Sequence, residues 1–309
     1  MKNDPVERAL AALDDIPVRT QEGAKQMAKA LTGKSNLVAA KAARIAGNAE
    51  WSELRDDLIK AFARFVRQGA AMDKGCKATV AIARALFALD HDDAELYLIG
   101  MRHIQIEPVF GGSVDTAAEL RSVCAMGLAA CSYPNKLREL LSLLVDTEAQ
   151  TRSGAVRALA TIGSEPAALL IRLKTLTGDQ EPEIVGDCLS ALLAIEGSSA
   201  LPFAISFTES RDSQVAEAAF LALGATRRDD AIEWLKARYA QVVDSGTRQA
   251  ILLALAASRT DAAVAFLLDV IRNGSLRSSG IAVSAMQVNS ADPRIREQIA
   301  GALRARTGA

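Results

Sequence analysis

The chain has 309 residues, half of them hydrophobic but only 4% aromatic, so its apolar mass is aliphatic and alanine-rich, a helix-building composition. Its 36 Lys and Arg against 37 Asp and Glu leave a net charge of −1, which excludes the charge-rich, apolar-poor pattern of a disordered chain and argues against a dominant polyanion-binding surface. The length accommodates two domains or one extended array.

Residues 1–34 read as an N-terminal helical cap. The opening MKNDPVERALAALDD places acidic residues where a secretion signal needs an unbroken apolar run, and no segment reads as the ~20 apolar residues of a membrane span. The expectation is a cytoplasmic protein with no membrane contact. Between residues 24 and 48, Lys25, Lys29, Lys34, Lys41 and Arg44 occur without any Asp or Glu, a stripe able to meet phosphates. Gly33-Lys34-Ser35 mimics the end of a phosphate-binding loop, but Ala28 stands where its first glycine belongs.

Residues 35–114 read as divergent helical repeats, with LVAAKAARIAG around Ala43 and ATVAIARALFAL around Ala85 as helices. His91-Asp92-Asp93-Ala94-Glu95 reads as a turn with carboxylates near a helix start, and with His103 it also offers ligands for a divalent metal. An insertion follows near 105–114. Pro108 and the pair Gly111-Gly112 exclude regular helix there, and Thr116 with Glu119 has capping-box spacing that restarts one, with Asp115 favourable to its positive end. Phe110 beside two glycines is either an apolar anchor ringed by Arg102, His103, Glu107 and Asp115, or a plug tucked between poorly matched repeats.

Residues 115–309 carry a repeat. Apolar runs of one form, apolar, variable, Ala, then Leu or Met, are anchored at Ala125, Ala158, Ala191, Ala222, Ala254 and Ala285, giving intervals of 33, 33, 31, 32 and 31 by subtraction. Such a period indicates an array of units, each burying a face against the next. In one unit Thr147 and Gln150 have capping-box spacing, a helix runs through Ile162, and Gly163-Ser164-Glu165-Pro166 stops it and opens a second helix with Leu169, Leu170, Leu173 and Leu176. Gly197-Ser198-Ser199, Arg227-Arg228-Asp229-Asp230, Ser258-Arg259-Thr260-Asp261 and Asn289-Ser290-Ala291-Asp292-Pro293 supply the corresponding turns. The spacing therefore predicts an all-α fold, an α-α superhelix of antiparallel helix pairs, in which each anchoring methyl lets two helix axes approach closely. The step from Ala85 to Ala125 is 40 residues, and the insertion accounts for the excess.

The stretch Asp146 to Gly197, especially TEAQTRSGAVRALATIGSEPAALLIRL and EPEIVGDCLSALLAIEG, resembles the HEAT-repeat family, in particular the short bacterial HEAT-like repeats of phycobilin lyases. The resemblance covers about 115–305 well and 35–104 loosely. It implies a solenoid whose second helices line an inner curve, where Arg172, Trp234, Lys236, Arg238, Tyr239, Arg294 and Arg296 are candidate partner contacts. Sparse Asp and Arg between the helices argues against the continuous polar ladder of that family. The turn around His91 also suggests the di-iron HEAT-like deoxyhypusine hydroxylases, but that resemblance fails, because the repeated His-Glu pairs that their metal needs are missing.

Cys76, Cys124, Cys131 and Cys188 form no CxxC pair and read as buried thiols, although Cys124 and Cys131, seven apart, are also spaced for a redox pair or half a metal site. With two histidines, isolated cysteines, no GxSxG and no strand-linked GxGxxG, no catalytic site, cofactor or metal is expected. Trp51 and Trp234 read as core residues, with Trp234 also a candidate contact. The resulting expectation is a non-catalytic protein-binding scaffold, with partner contacts at Arg102, His103, Glu107, Phe110, Asp115, Arg172, Trp234, Lys236 and Tyr239. The alternative is a nucleic-acid binder using the N-terminal basic stripe.

Overall fold

The computed structural model describes residues 5–287 and 292–307. It divides into two compact units, residues 1–162 and 163–309.

The first unit contains α1 (Pro5–Ala12), α2 (Gln21–Thr32), α3 (Asn36–Asn48), α4 (Arg55–Gln68), α5 (Lys77–Ala88) and α6 (Ala94–Met101). A hairpin of β1 (Ile106–Val109) and β2 (Gly112–Asp115) follows, then α7 (Ala118–Ala130), α8 (Lys136–Leu143) and α9 (Ala149–Ile162). Helices α3, α5, α7 and α9 pack one on the next as a ladder, with α4 and α8 packed beside α5 and α9 and α6 beside α7. The second unit contains α10 (Glu165–Thr177), α11 (Pro182–Glu196), α12 (Leu201–Ser206), α13 (Ser213–Ala225), α14 (Asp229–Gln241), α15 (Ser245–Ser258), α16 (Asp261–Asn273), α17 (Leu276–Gln287) and α18 (Pro293–Thr307). There α11, α13, α15 and α17 form the ladder, and α10, α12, α14 and α16 pack beside it. Each unit is thus an all-α, solenoid-type stack of helix pairs, as the repeat predicts.

All the anchoring alanines, from Ala43 and Ala85 to Ala285, are buried on ladder helices. At several crossings the close approach is completed by a glycine on the neighbouring helix. A Cβ added to Gly47 would sit 2.9 Å from the Ala85 Cα, and one added to Gly224 would sit 2.1 Å from the Ala254 carbonyl oxygen. Helix axes come this near only where neither chain carries bulk, because interiors leave no slack. The predicted stops at Gly163 and Gly197 have φ of +63° and +62°, and Arg227 and Arg259 turn the chain at φ of +55° and +54°. The last predicted turn, 289–293, lies mostly outside the described residues.

Several local expectations are corrected. On α10, which packs on α11, Leu169, Leu173 and Leu176 are exposed, while Ala167, Ala168, Ile171 and Thr175 are buried. The stretch Pro182–Glu209 is long and apolar enough to cross a membrane, contrary to the sequence reading. In the structure it is broken by 3₁₀ turns at 197–200 and 207–209, and its helix α11 packs against α10 and α13. The Thr116–Glu119 capping box does not form. Thr116 turns back to the hairpin, Glu119 pairs with Arg84 at 2.6 Å, and Asp115 takes the amide of Ala117. Asp146 likewise receives the Glu148 amide ahead of α9, at the place assigned to Thr147.

Candidate docking site at the inserted hairpin

The insertion folds as an antiparallel hairpin whose register pairs Ile106 with Asp115, Glu107 with Val114, Pro108 with Ser113 and Val109 with Gly112. Phe110 and Gly111 form the two-residue loop, and Gly111 has φ +86°, the conformation such a turn needs and that only glycine adopts without strain.

The faces of this hairpin are inverted. Along Ile104-Gln105-Ile106-Glu107 the pleat buries Gln105 and Glu107 and exposes both isoleucines, at 67% and 59%. Val109 and Val114, on the Glu107 face by the register, are exposed toward the tip as well, and Phe110 stands completely free there. The plug reading of Phe110 is therefore overturned. Exposing five large apolar side chains runs against the hydrophobic effect, so another interaction must fix the orientation.

That interaction is a polar network beneath the hairpin. Glu107 Oε1 accepts from the Gly75 amide at 2.6 Å, Gln105 Nε2 at 2.7 Å and Thr116 Oγ1 at 2.8 Å. Gln105 Nε2 also donates to the Asp73 carbonyl at 2.9 Å, and the Asp73 carboxylate takes the Ala78 and Thr79 amides at the start of α5. Burial alone would raise the Glu107 carboxyl, but the donors from Gly75, Thr116 and Gln105 and the charge of Lys74 hold it below its ordinary value. Flipping the hairpin to hide its isoleucines would strip these groups of partners, at a cost of about 1–3 kcal/mol for each orphaned polar group.

A second cluster fixes the base of the hairpin. Arg121 of α7 is buried, with Nη1 donating to Asp115 at 2.7 Å and to the His103 carbonyl at 3.0 Å, and Nη2 donating to Asp146 at 2.9 Å. Burial would raise Asp115, yet the amides of Ala117 and Gln105 together with Arg121 hold it low. Arg152 Nη1 then donates to the carbonyls of Asp146 and Thr147, both at 2.9 Å. A short polar ladder along α7 and α9 thus exists where sparse Asp and Arg had argued against a continuous one. Beside it runs a groove of about 520 Å³ lined by Ile104, Ile106, Val114 and Val145 on one hand and by Asp115, Asp146 and Glu148 on the other.

The structure sorts the predicted contacts. Glu107 and Asp115 are buried ties rather than a charged ring around Phe110. His103 is half-buried and contributes its carbonyl to Arg121, while Arg102 is exposed and paired with Glu139 at 2.9 Å. Arg172 bonds Glu196 and lies over the Phe203 ring, and Trp234 stacks on Phe220. Lys236 pairs with Glu233, Arg238 with Glu209 and Arg294 with Asp292, and Tyr239 meets Phe266 edge to face. These last residues, from Arg172 onward, belong to the second unit, and the hairpin belongs to the first. Trp51 is buried as expected. Lys25, Lys29, Lys34 and Arg44 are exposed, whereas Lys41 is drawn out of the basic stripe by Asp14 at 2.7 Å. Sequence reasoning missed Ile104, Ile106, Val109, Val114, Arg121, Asp146 and Glu148. The available signal was the period-2 alternation of apolar and polar residues across 104–107.

The four cysteines are free and buried, and burial raises their thiols, to about 11 for Cys76 and Cys131 and about 12 for Cys188. Asp93 caps α6 through the Glu95 amide, and Asp92 accepts from the Ser132 amide, so the acidic run near His91 is used structurally. Among the described residues no three His, Cys, Asp or Glu side chains converge as a metal site.

No family model matches the sequence, and no curated protein matches it. Among solved structures the chain is similar to human deoxyhypusine hydroxylase in complex with glycerol, at 16% identity over 94% of this chain and 92% of that one, with a TM-score of 0.28. It is also similar to the complex of CpcE and CpcF of phycocyanin lyase from a Nostoc species, at 17% identity over 94% and 98%, with a TM-score of 0.34. An engineered protein aligns at 18% identity over 98% and 90%, with a TM-score of 0.35. At these values the likenesses carry no argument, and the assignment to the class of helical-repeat proteins rests on the helix ladders themselves.

Proposed function

We propose that this protein is a non-catalytic, HEAT-like scaffold of the cytoplasm that binds a protein partner, and that the inserted hairpin is its contact. The observation that carries this reading is an apolar face held outward by buried polar groups. Contiguous exposed apolar surface is characteristic of interaction sites, and a rigid aromatic on a short loop is a common anchor. Four buried, unpaired thiols accord with a reducing compartment.

The reading is tested by affinity capture with the wild-type chain and with a double variant, Ile106→Ser with Phe110→Ser, after both are shown to have the same melting midpoint. The expected result is a specific partner retained by the wild type and lost by the variant. Equal capture by both would move the contact away from the hairpin.

A further inference from the structure

We propose that the outer edge of β2 receives an extended segment of the partner as a third strand, and that this segment is apolar on one face and carries Lys or Arg toward Glu148. The inference deepens the scaffold reading and rests on it.

The outer edge of β2 is free. Thr116 donates its amide to the Gln105 carbonyl at 2.9 Å, and hydrogen-bonded pairs alternate along an antiparallel ladder. Glu107 and Val109 therefore spend their backbone groups on Val114 and Gly112, and Gln105 spends its carbonyl on the Thr116 amide and its own amide on Asp115 Oδ1 at 3.1 Å, while the backbone groups of Ile106 and Pro108 point to the outer edge of β1, and those of Ser113 and Asp115 to the outer edge of β2. The sheet has only these two strands among the described residues. Its edges are not equivalent. Pro108 has no N–H and blunts the edge of β1, as edge prolines do, whereas β2 keeps a full set of donors and acceptors.

This open edge borders the groove. Ser113, Val114 and Asp115 line it along β2, facing Val145, Asp146, Thr147 and Glu148 across it. An added strand would find backbone partners on β2 and apolar contact at Ile104, Ile106 and Val145, the combination by which strand addition gains affinity and selectivity.

The groove is also acidic. The groove lining holds three carboxylates, Asp115, Asp146 and Glu148, against one guanidinium, Arg121, which is buried between the first two. Counting Arg152, bound to nearby carbonyls, still leaves the site negative. Glu148 forms no ion pair among the described residues, so a cation on the incoming segment has an unclaimed carboxylate to meet.

The test uses the full chain and a fluorescein-labelled nine-residue probe, Thr-Val-Lys-Val-Thr-Val-Lys-Val-Thr. Controls are the same peptide with Glu for Lys, and two versions N-methylated either at the valine amides or at the intervening ones. The expected result is saturable binding of the basic probe, with the acidic probe and one N-methylated probe weaker by about tenfold or more. Glu148→Lys should reverse the charge preference. Ser113→Pro removes an outward N–H while sparing the hairpin ladder, and should abolish binding at an unchanged melting midpoint. The N-methylated probes read the same edge on the unaltered protein, should Ser113→Pro fold poorly. Failure of the basic probe to bind, or binding indifferent to charge and N-methylation, overturns the proposal. A dimer in sedimentation that Ser113→Pro dissolves would assign the edge to a second copy and overturn it too. Partner capture that still depends on Phe110 after such a failure removes strand addition alone; loss of both removes the hairpin as the contact.

Discussion

The crossing of α13 and α15 and the hairpin solve opposite problems. At the crossing, Gly224 lies against the Ala254 backbone, and apolar neighbours such as Leu223, Ile251 and Leu255 are buried. At the hairpin the apolar side chains face outward, and the buried positions belong to Gln105, Glu107 and Asp115. The stack is held by shape, the hairpin by polar partners on other elements. An exposed apolar surface can be fixed as firmly as a core when reversing it would orphan several buried polar groups.

The largest expected effect lies at Arg121. Arg121→Leu would leave Asp115 and Asp146 close together without their shared counter-charge, and an expected loss of about 3–5 kcal/mol should appear in denaturant unfolding. A loss under about 1 kcal/mol would show that the base of the hairpin is not tied by this cluster. At the crossing, Gly224→Val should cost about 1–3 kcal/mol by overpacking, since the obstacle is backbone and cannot rotate away. The exposed Gly112, with nothing within 4 Å of an added Cβ, should tolerate Ala far better in the same assay.

Acidification should separate the two regions without mutation. Glu107 and Asp115 are both held below their ordinary values of 4.5 and 3.8, so the unfolded chain takes up protons first. Their contribution is complete above those values, declines as pH falls through them, and is gone once the pH has passed below the depressed folded values. Burial lowers His91 from 6.5, and its own loss on acidification begins at a higher pH. The difference between the wild-type profile and that of Glu107→Gln isolates the hairpin. Parallel profiles below pH 4.5 would show that Glu107 is not held by its donors.

The smallest effect belongs to the tip. Phe110→Ala removes no buried surface and should change the melting midpoint by an amount equivalent to less than about 0.5 kcal/mol, while weakening partner capture. A clear loss of stability would restore Phe110 to the role of a plug.

Much of the fold was legible in the residues. The 31–33 residue step of the anchoring alanines, the helical spacing around them and the stops at Gly163 and Gly197 are local signals, since a 3.6-residue period and a positive φ are properties of short segments. The insertion was legible as a break at Pro108 and Gly111-Gly112, with Phe110 at its centre. Its strands were not. Four-residue strands give little periodicity, and an apolar-polar alternation does not say which side faces the protein.

The sequence by itself determined the helix-pair repeat, the close crossings at alanine and the place where the repeat is interrupted, because each is encoded within a few consecutive residues. Tertiary structure decided that Ile104 and Ile106 face outward, that α10 buries alanines in preference to leucines, and that Asp115 rather than Thr116 receives the Ala117 amide at the start of α7. Those choices depend on partners far along the chain. Gly75 lies 32 residues before Glu107 and Asp146 lies 25 after Arg121, and only folding brings such groups within hydrogen-bonding distance.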